Sequence, residues 1–219
     1  MCVGEFQQAL EYALEPRNLA RLSAALNRHG QLVASAMAIA LLLGLPFGWW
    51  SSRSRLISAI AINTTNGLRV IPSLAILFLF VAIPGFGLSI RSAIIALTIL
   101  ALPPILINTN TAFRTLNPAV REAAKAMGMP AWLQLWRVEL PLAAPVILSG
   151  IRIALVEVIA SATLAAFIGA GGLGSFITLG FSMSRVDILL VGAIPVALLA
   201  ILAEIVMAGL LRWVQPPQF

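Results

Sequence analysis

Long apolar runs alternate with short polar islands along this chain. The runs near 31–50, 90–107, 144–168 and 188–213 can each cross a hydrocarbon layer of roughly 30 Å as a helix. A further run, 56–84, has the length but is interrupted by Asn63, Thr64, Thr65, Asn66, Arg69 and Pro72. Unpaired polar groups are costly in hydrocarbon, so this segment is expected to turn that cluster toward protein or water. The pattern predicts an all-α integral membrane protein of about five transmembrane helices.

The flanks of these runs add detail. Residues 1–30 carry Glu5, Glu11, Glu15, Arg17, Arg21 and Arg28 among apolar positions. They read as an amphipathic N-terminal segment of one or two helices, broken near Pro16 and lying at the interface, or else as a docking surface for a partner subunit. Trp49 and Trp50 close the first span where an aromatic belt is expected. The third span is entered through Pro84-Gly85-Phe86-Gly87 and is expected to break near Pro103-Pro104. The fourth carries Arg152, Glu157, Ser161 and Thr163, and the last carries Glu204. Charge inside a span points to a pathway; snorkelling of Arg152 or pairing of Glu157 with a neighbouring helix is the structural alternative. Gly169–Gly174 follows a helix, not a strand, and is expected to make a tight turn and a close helix approach instead of a phosphate loop. A transmembrane body of 31–213 thus lies between the N-terminal segment and a short tail, 214–219.

The most informative island is 117–141. It reads as two short helices at a sharp bend, with Asn117 as N-cap, Pro118 in the first turn, Gly128 as a left-handed cap and a restart at Met129-Pro130. On the first helix Ala119, Val120, Ala123, Ala124 and Met127 share one face at helical spacing, with Arg121, Glu122 and Lys125 on the other. That is a slim apolar face suited to a groove; a helix lying on the membrane or on its own protein is the alternative.

Composition narrows the class. Of the residues, 60% are hydrophobic and 10% charged, with a mean hydropathy of +1.00. The net charge of +6 is scattered around the apolar runs with no basic stripe, which argues against nucleic acid. Cys2 is the single cysteine and His29 the single histidine, so no internal disulfide and no Cys/His metal cluster can form; His29 reads as an ordinary interfacial residue. The N-terminus lacks the pattern of a removable signal peptide.

Within the island, Glu122-Ala123-Ala124, three residues, Gly128, nine residues and Val138-x-Leu140-Pro141 resemble the EAA loop of ABC-importer permeases, with Val138 where isoleucine is usual. From about Leu68 to Ser182 the chain is similar to permeases of type I importers for osmoprotectants such as glycine betaine, choline and carnitine. The resemblance is carried by Ile71-Pro-Ser-Leu74, Asn108-Thr109, the 122–129 and 138–143 segments, Gly150-Ile-Arg152, Ala162-Thr-Leu-Ala165 and Ile168–Gly174. It implies a MetI-like permease and no enzyme. Glu122, Ala123, Ala124, Met127, Gly128, Trp132 and Pro141 would form the coupling surface for the ATPase. Asn63, Asn66, Arg69, Pro72, Glu157 and Ser161 would line the pathway, Arg69 and Pro72 belonging to a family Arg-x-x-Pro element.

The implied partners are two cytoplasmic ATP-binding subunits, a second permease copy or paralogue, an extracellular or periplasmic substrate-binding protein, and lipid. No cofactor is expected in this chain, which has no P-loop lysine motif; ATP would be bound by the partner. Methionine importers share the architecture and give an alternative substrate. An ion-coupled secondary transporter is the alternative of another class, but it would be expected to show repeated halves and more midplane carboxylates. With a cytoplasmic coupling loop, five spans place the N-terminus outside and the C-terminus inside a bacterial or archaeal cell membrane. The basic residues on the inner side are then Arg53, Arg55, Arg114, Arg121, Lys125, Arg137 and Arg212. Those outside are Arg17, Arg21, Arg28, Arg91 and Arg185, so the excess is small but in the expected direction.

Overall fold

The computed structural model describes residues 2–214, and every regular element in it is helical. The tail beyond Val214 lies outside the described residues. The helices are α1 (Cys2–Leu14), α2 (Pro16–Ser51), α3 (Arg55–Val70), α4 (Ser73–Ala82), α5 (Ile90–Arg114), α6 (Pro118–Ala126), α7 (Ala131–Gln134), α8 (Leu140–Ser161), α9 (Gly174–Ser182) and α10 (Val186–Val214). Four uninterrupted helical stretches are long and apolar enough to cross a membrane, and the bent pair α3–α4 makes up to five.

α5 is the axis of the bundle, packed between α2 and α8, with α3 and α4 also against it. Ala93, Ala96, Leu97, Ala101 and Ile105 on α5 are fully buried. Small residues let the backbones approach where lipid supplies little hydrophobic drive for helix association. Gly150 of α8 is the clearest case: a Cβ there would sit 2.5 Å from Asn108 Cβ and 2.6 Å from the Pro104 carbonyl oxygen. α10 covers α8 and α9, and α1 lies on α10. At that junction Arg185 stacks over the Tyr12 ring at 5.7 Å and pairs with Asp187.

Five expectations change. The run 56–84 is two helices bent by 92°, not one interrupted span. The chain is extended at Ile71 (ψ 125°) and Pro72 (ψ 133°), because a residue before proline avoids the helical region and Pro72 has no amide hydrogen. Conversely, α5 does not break at Pro103-Pro104. It is the most enclosed span, and unwinding it would strand more backbone groups than the two hydrogens those prolines lack. The second half of the 117–141 island is not a separate helix: α7, a π-helical turn (Leu135–Glu139) and α8 run on as one helical stretch, Ala131–Ser161.

The N-terminal break falls at Glu15, and α2 then runs unbroken from Pro16 through the first span. This carries His29 inside instead of to an interface: it is fully buried, with Nε2 3.2 Å from the Ile159 carbonyl. Finally, the glycine run does open a helix, α9, as well as following one. It is still filled by packing, since a Cβ at Gly174 would lie 1.9 Å from the Thr163 carbonyl oxygen.

The glycine contact on α8 yields the first expected outcome. Gly150→Ala should destabilise the bundle by about 1–3 kcal/mol, since overpacking forces backbone shifts. Gly209→Ala on α10, where the new Cβ meets nothing within 4 Å, should leave stability unchanged or raise it by about 0.5–1 kcal/mol through lower unfolded-state entropy. Thermal unfolding of the detergent-solubilised protein reads both, and equal shifts would contradict a close α5–α8 crossing.

Candidate functional site

The 117–141 island is built by local rules. Asn117 caps α6, its Oδ1 accepting from the Ala119 amide at 2.9 Å, and Pro118 starts the helix. Gly128 ends it with φ +75°; a Cβ there would meet open space, so the need for glycine is conformational, not steric. The chain then re-enters helix at Ala131.

The orientation of α6 differs from the helical-wheel expectation. Ala124 is 1% exposed, and Arg121 also points inward, its Nη2 donating to the Phe113 carbonyl at 2.7 Å. Val120, Ala123 and Met127 stay exposed, as do Trp132 and Trp136 on the following helix. Glu122 is exposed and makes no intramolecular hydrogen bond among those of the described residues. Pro141 is exposed in the first turn of α8. The island thus offers a ridge of apolar side chains with a carboxylate beside it, standing on an anchored inner face.

The anchor is Glu139, a residue that neither periodicity nor spacing singles out. It is 3% exposed, and its Oε2 accepts from Arg53 Nη2 at 3.0 Å. Its Oε1 accepts from Gln134 Nε2 at 3.1 Å and lies 3.1 Å from Arg121 Nε, which is close enough for an ion pair but not aligned as a hydrogen bond. One carboxylate therefore ties the loop after α2, the helix α6 and the start of the fourth span. Arg53 also sits over the Trp49 ring at 4.9 Å. Only the chain separation hid this: Arg53 and Glu139 are 86 residues apart. Close by, Asn110 donates to Ser51 Oγ at 2.8 Å and accepts from Ser58 Oγ at 2.9 Å, joining α2, α3 and α5 through buried polar groups.

A second constellation lies at the α3–α4 break. A cavity of about 250 Å³ is lined by Arg69, Pro72, Ser73, Pro103, Glu157 and Ser161, with apolar neighbours. Four of the six expected pathway residues, Arg69, Pro72, Glu157 and Ser161, meet there. Asn63 and Asn66 do not: both are exposed on α3, outside this cavity. Arg152, by contrast, pairs with Glu204 of α10, its Nε donating to Oε2 at 2.8 Å. Among the described residues no cluster of His, Cys, Asp and Glu could hold a metal ion.

Comparison with known proteins gives a consistent result. The family described as binding-protein-dependent transport system inner membrane component matches residues 36–216. The carnitine transport permease protein OpuCB of Listeria monocytogenes is 41% identical over 183 residues, 84% of this chain and 83% of its own length. The glycine betaine/carnitine/choline permease OpuCB of Bacillus subtilis is 38% identical, covering 83% and 82%. The osmoprotectant import permease OsmW of Salmonella typhimurium is 36% identical, covering 89% and 91%. Among solved structures, a chain of the inward-facing MetNI methionine ABC transporter superposes with a TM-score of 0.78 at 21% identity, over 93% of this chain and all of that one. At that identity the likeness establishes the fold alone.

The Glu139 knot sets a second expected outcome. Glu139→Ala leaves Arg121 without its buried partner and should destabilise by about 3–5 kcal/mol, whereas Arg53→Ala, whose side chain is 43% exposed, should change stability by only about 0–1 kcal/mol. Limited proteolysis of 115–130 should accelerate in Glu139→Ala. Unchanged melting and cleavage would mean that α6 is held by something else.

Proposed function

This chain belongs to the family of binding-protein-dependent transport system inner membrane components, and on that premise we propose that it forms the pathway for a small osmoprotectant such as glycine betaine, carnitine or choline. It is an ABC-importer permease of an inner membrane, not an enzyme, and it works with an ATP-hydrolysing subunit and a substrate-binding protein. Membership in a binding-protein-dependent family sets aside an ion-coupled carrier. The observation that carries the substrate class is the agreement among relatives at 36–41% identity, each named for one or more of these quaternary-ammonium osmolytes or for osmoprotectants.

In this reading two permease copies, or this chain and a paralogue, enclose the pathway above two ATPases, and ATP is bound by those partners. The exposed ridge of Val120, Ala123, Met127 and Trp132 fills a groove on the ATPase, with Glu122 at its rim and Ala124, Gly128 and Pro141 fixing its shape. Arg69, Pro72, Glu157 and Ser161 line the pathway, and Asn63 and Asn66 face the second permease copy. The N-terminus is outside and the C-terminus cytoplasmic.

Two measurements test these points. In a Cys2→Ser background, single cysteines at Lys125 and Ser175, both exposed, should label from opposite sides of the membrane. Labelling of both from outside overturns the topology. In the reconstituted importer, Ala123→Trp and Gly128→Val should leave the membrane helices folded yet cut binding-protein-stimulated ATP hydrolysis and uptake by about tenfold or more, as loss of a well-packed anchor does. If ATPase co-purification, stimulated hydrolysis and uptake all stay at the wild-type level, this ridge is not the coupling surface.

A further inference from the structure

Two sets of opposite charges lie on the helices α3, α8 and α10. Arg152 and Glu204 pair with each other across α8 and α10. Arg69 and Glu157 line one cavity, yet no ion pair joins them among the described residues. An unpaired charge at membrane depth is expensive and persists where it faces a polar space or a ligand. Here a cation and an anion, each free to take an opposite charge, share a space of about 250 Å³.

The backbone around them reinforces the arrangement. At the 92° break the Ala75 and Ile76 amides bond to the Pro72 carbonyl and the Leu68 carbonyl accepts from Ile71, which leaves the Ser73 and Leu74 amides at the start of α4 without helical partners beside Arg69. Broken helices at membrane depth use such ends to hold charged cargo, the amide end favouring anions. An arginine fork suits a carboxylate, which it can take through two parallel hydrogen bonds. A quaternary ammonium has no N–H to donate and is held by aromatic faces or by opposite charge; no aromatic residue is among those lining this cavity, and the carboxylate of Glu157 supplies the charge. The space is smaller than the roughly 300–1,000 Å³ of drug-sized sites and suits a small solute.

Resting on the osmoprotectant reading above, we propose that Arg69 and Glu157 form a two-point site for zwitterionic osmolytes, Arg69 taking the carboxylate and Glu157 the quaternary ammonium. A zwitterion satisfies both charges at once and adds no net charge to the membrane interior. Choline carries a hydroxyl in place of the carboxylate and engages Glu157 only. The site thereby gives the permease its own selectivity, beyond that of the binding protein.

The test uses the complete importer reconstituted in liposomes, with uptake of glycine betaine, carnitine, choline and methionine measured for each variant alongside binding-protein-stimulated ATP hydrolysis. Arg69→Gln should lower uptake of the zwitterions by about tenfold or more, the scale of a lost charge-assisted contact, while sparing any choline uptake. Arg69→Lys should restore part of it, and Glu157→Gln should lower every substrate carrying a quaternary ammonium. Co-purification with the ATPase subunit and an unchanged thermal unfolding midpoint mark all three as folded and assembled. Equal loss for zwitterions and choline in Arg69→Gln, or no loss in either neutral variant, overturns the two-point site. A wild-type importer that takes up methionine and none of the osmolytes overturns the osmoprotectant reading instead, and the carboxylate role of Arg69 is then scored on methionine, itself a zwitterion. Uptake of none of the four overturns both.

Discussion

In hydrocarbon, a backbone amide or carbonyl must find its partner within the protein, and this one requirement shapes nearly every segment. It accounts for the absence of strands among the described residues and for the way α5 stays helical through Pro103-Pro104. It also explains where the helix is allowed to fail. At Ile71-Pro72 the chain opens onto a polar cavity, and at Gly128 it turns in an exposed loop. Irregular backbone thus occurs where water or polar side chains can satisfy it.

The same economy governs side chains. At the end of the bundle that carries α6, Ser51, Ser58 and Asn110 satisfy one another, while Glu139 gathers Arg53, Gln134 and Arg121. Glu139 is buried because it is paired, and removing it leaves Arg121 stranded. The Glu139 cluster matters most for function, because it connects a loop, a short exposed helix and a transmembrane helix by stiff, short-range contacts. A force applied to the ridge on α6 would reach the fourth span through Arg121 and Glu139, without relying on the loop between them.

Arg69 and Glu157 stand apart from this pattern of mutual satisfaction. Arg152 and Glu204 meet each other across α8 and α10, whereas Arg69 and Glu157 face a shared space and form no ion pair among the described residues. The exposed apolar ridge on α6 and the cavity lie toward opposite ends of α8, which passes from the neighbourhood of the first to the second.

The linear sequence determined the features that rest on neighbours in the chain. Asn117, Pro118 and Gly128 set the limits of α6 through capping and backbone preference, and the apolar runs set which segments could span a membrane, because both depend only on local chemistry. Pro72 marked a break in the same way, though not its 92° bend. What required the tertiary structure were the pairings between distant segments. Glu139 is unremarkable until Arg53, 86 residues earlier, is brought to it. His29 is an interfacial residue by sequence and a buried one in the fold, because α8 and the glycine turn close over it. The inward turn of Arg121, the exposure of Asn63 and Asn66, and the meeting of Arg69 with Glu157 were likewise decided by how helices pack, since periodicity reveals that a helix has two faces but not which neighbour each face meets.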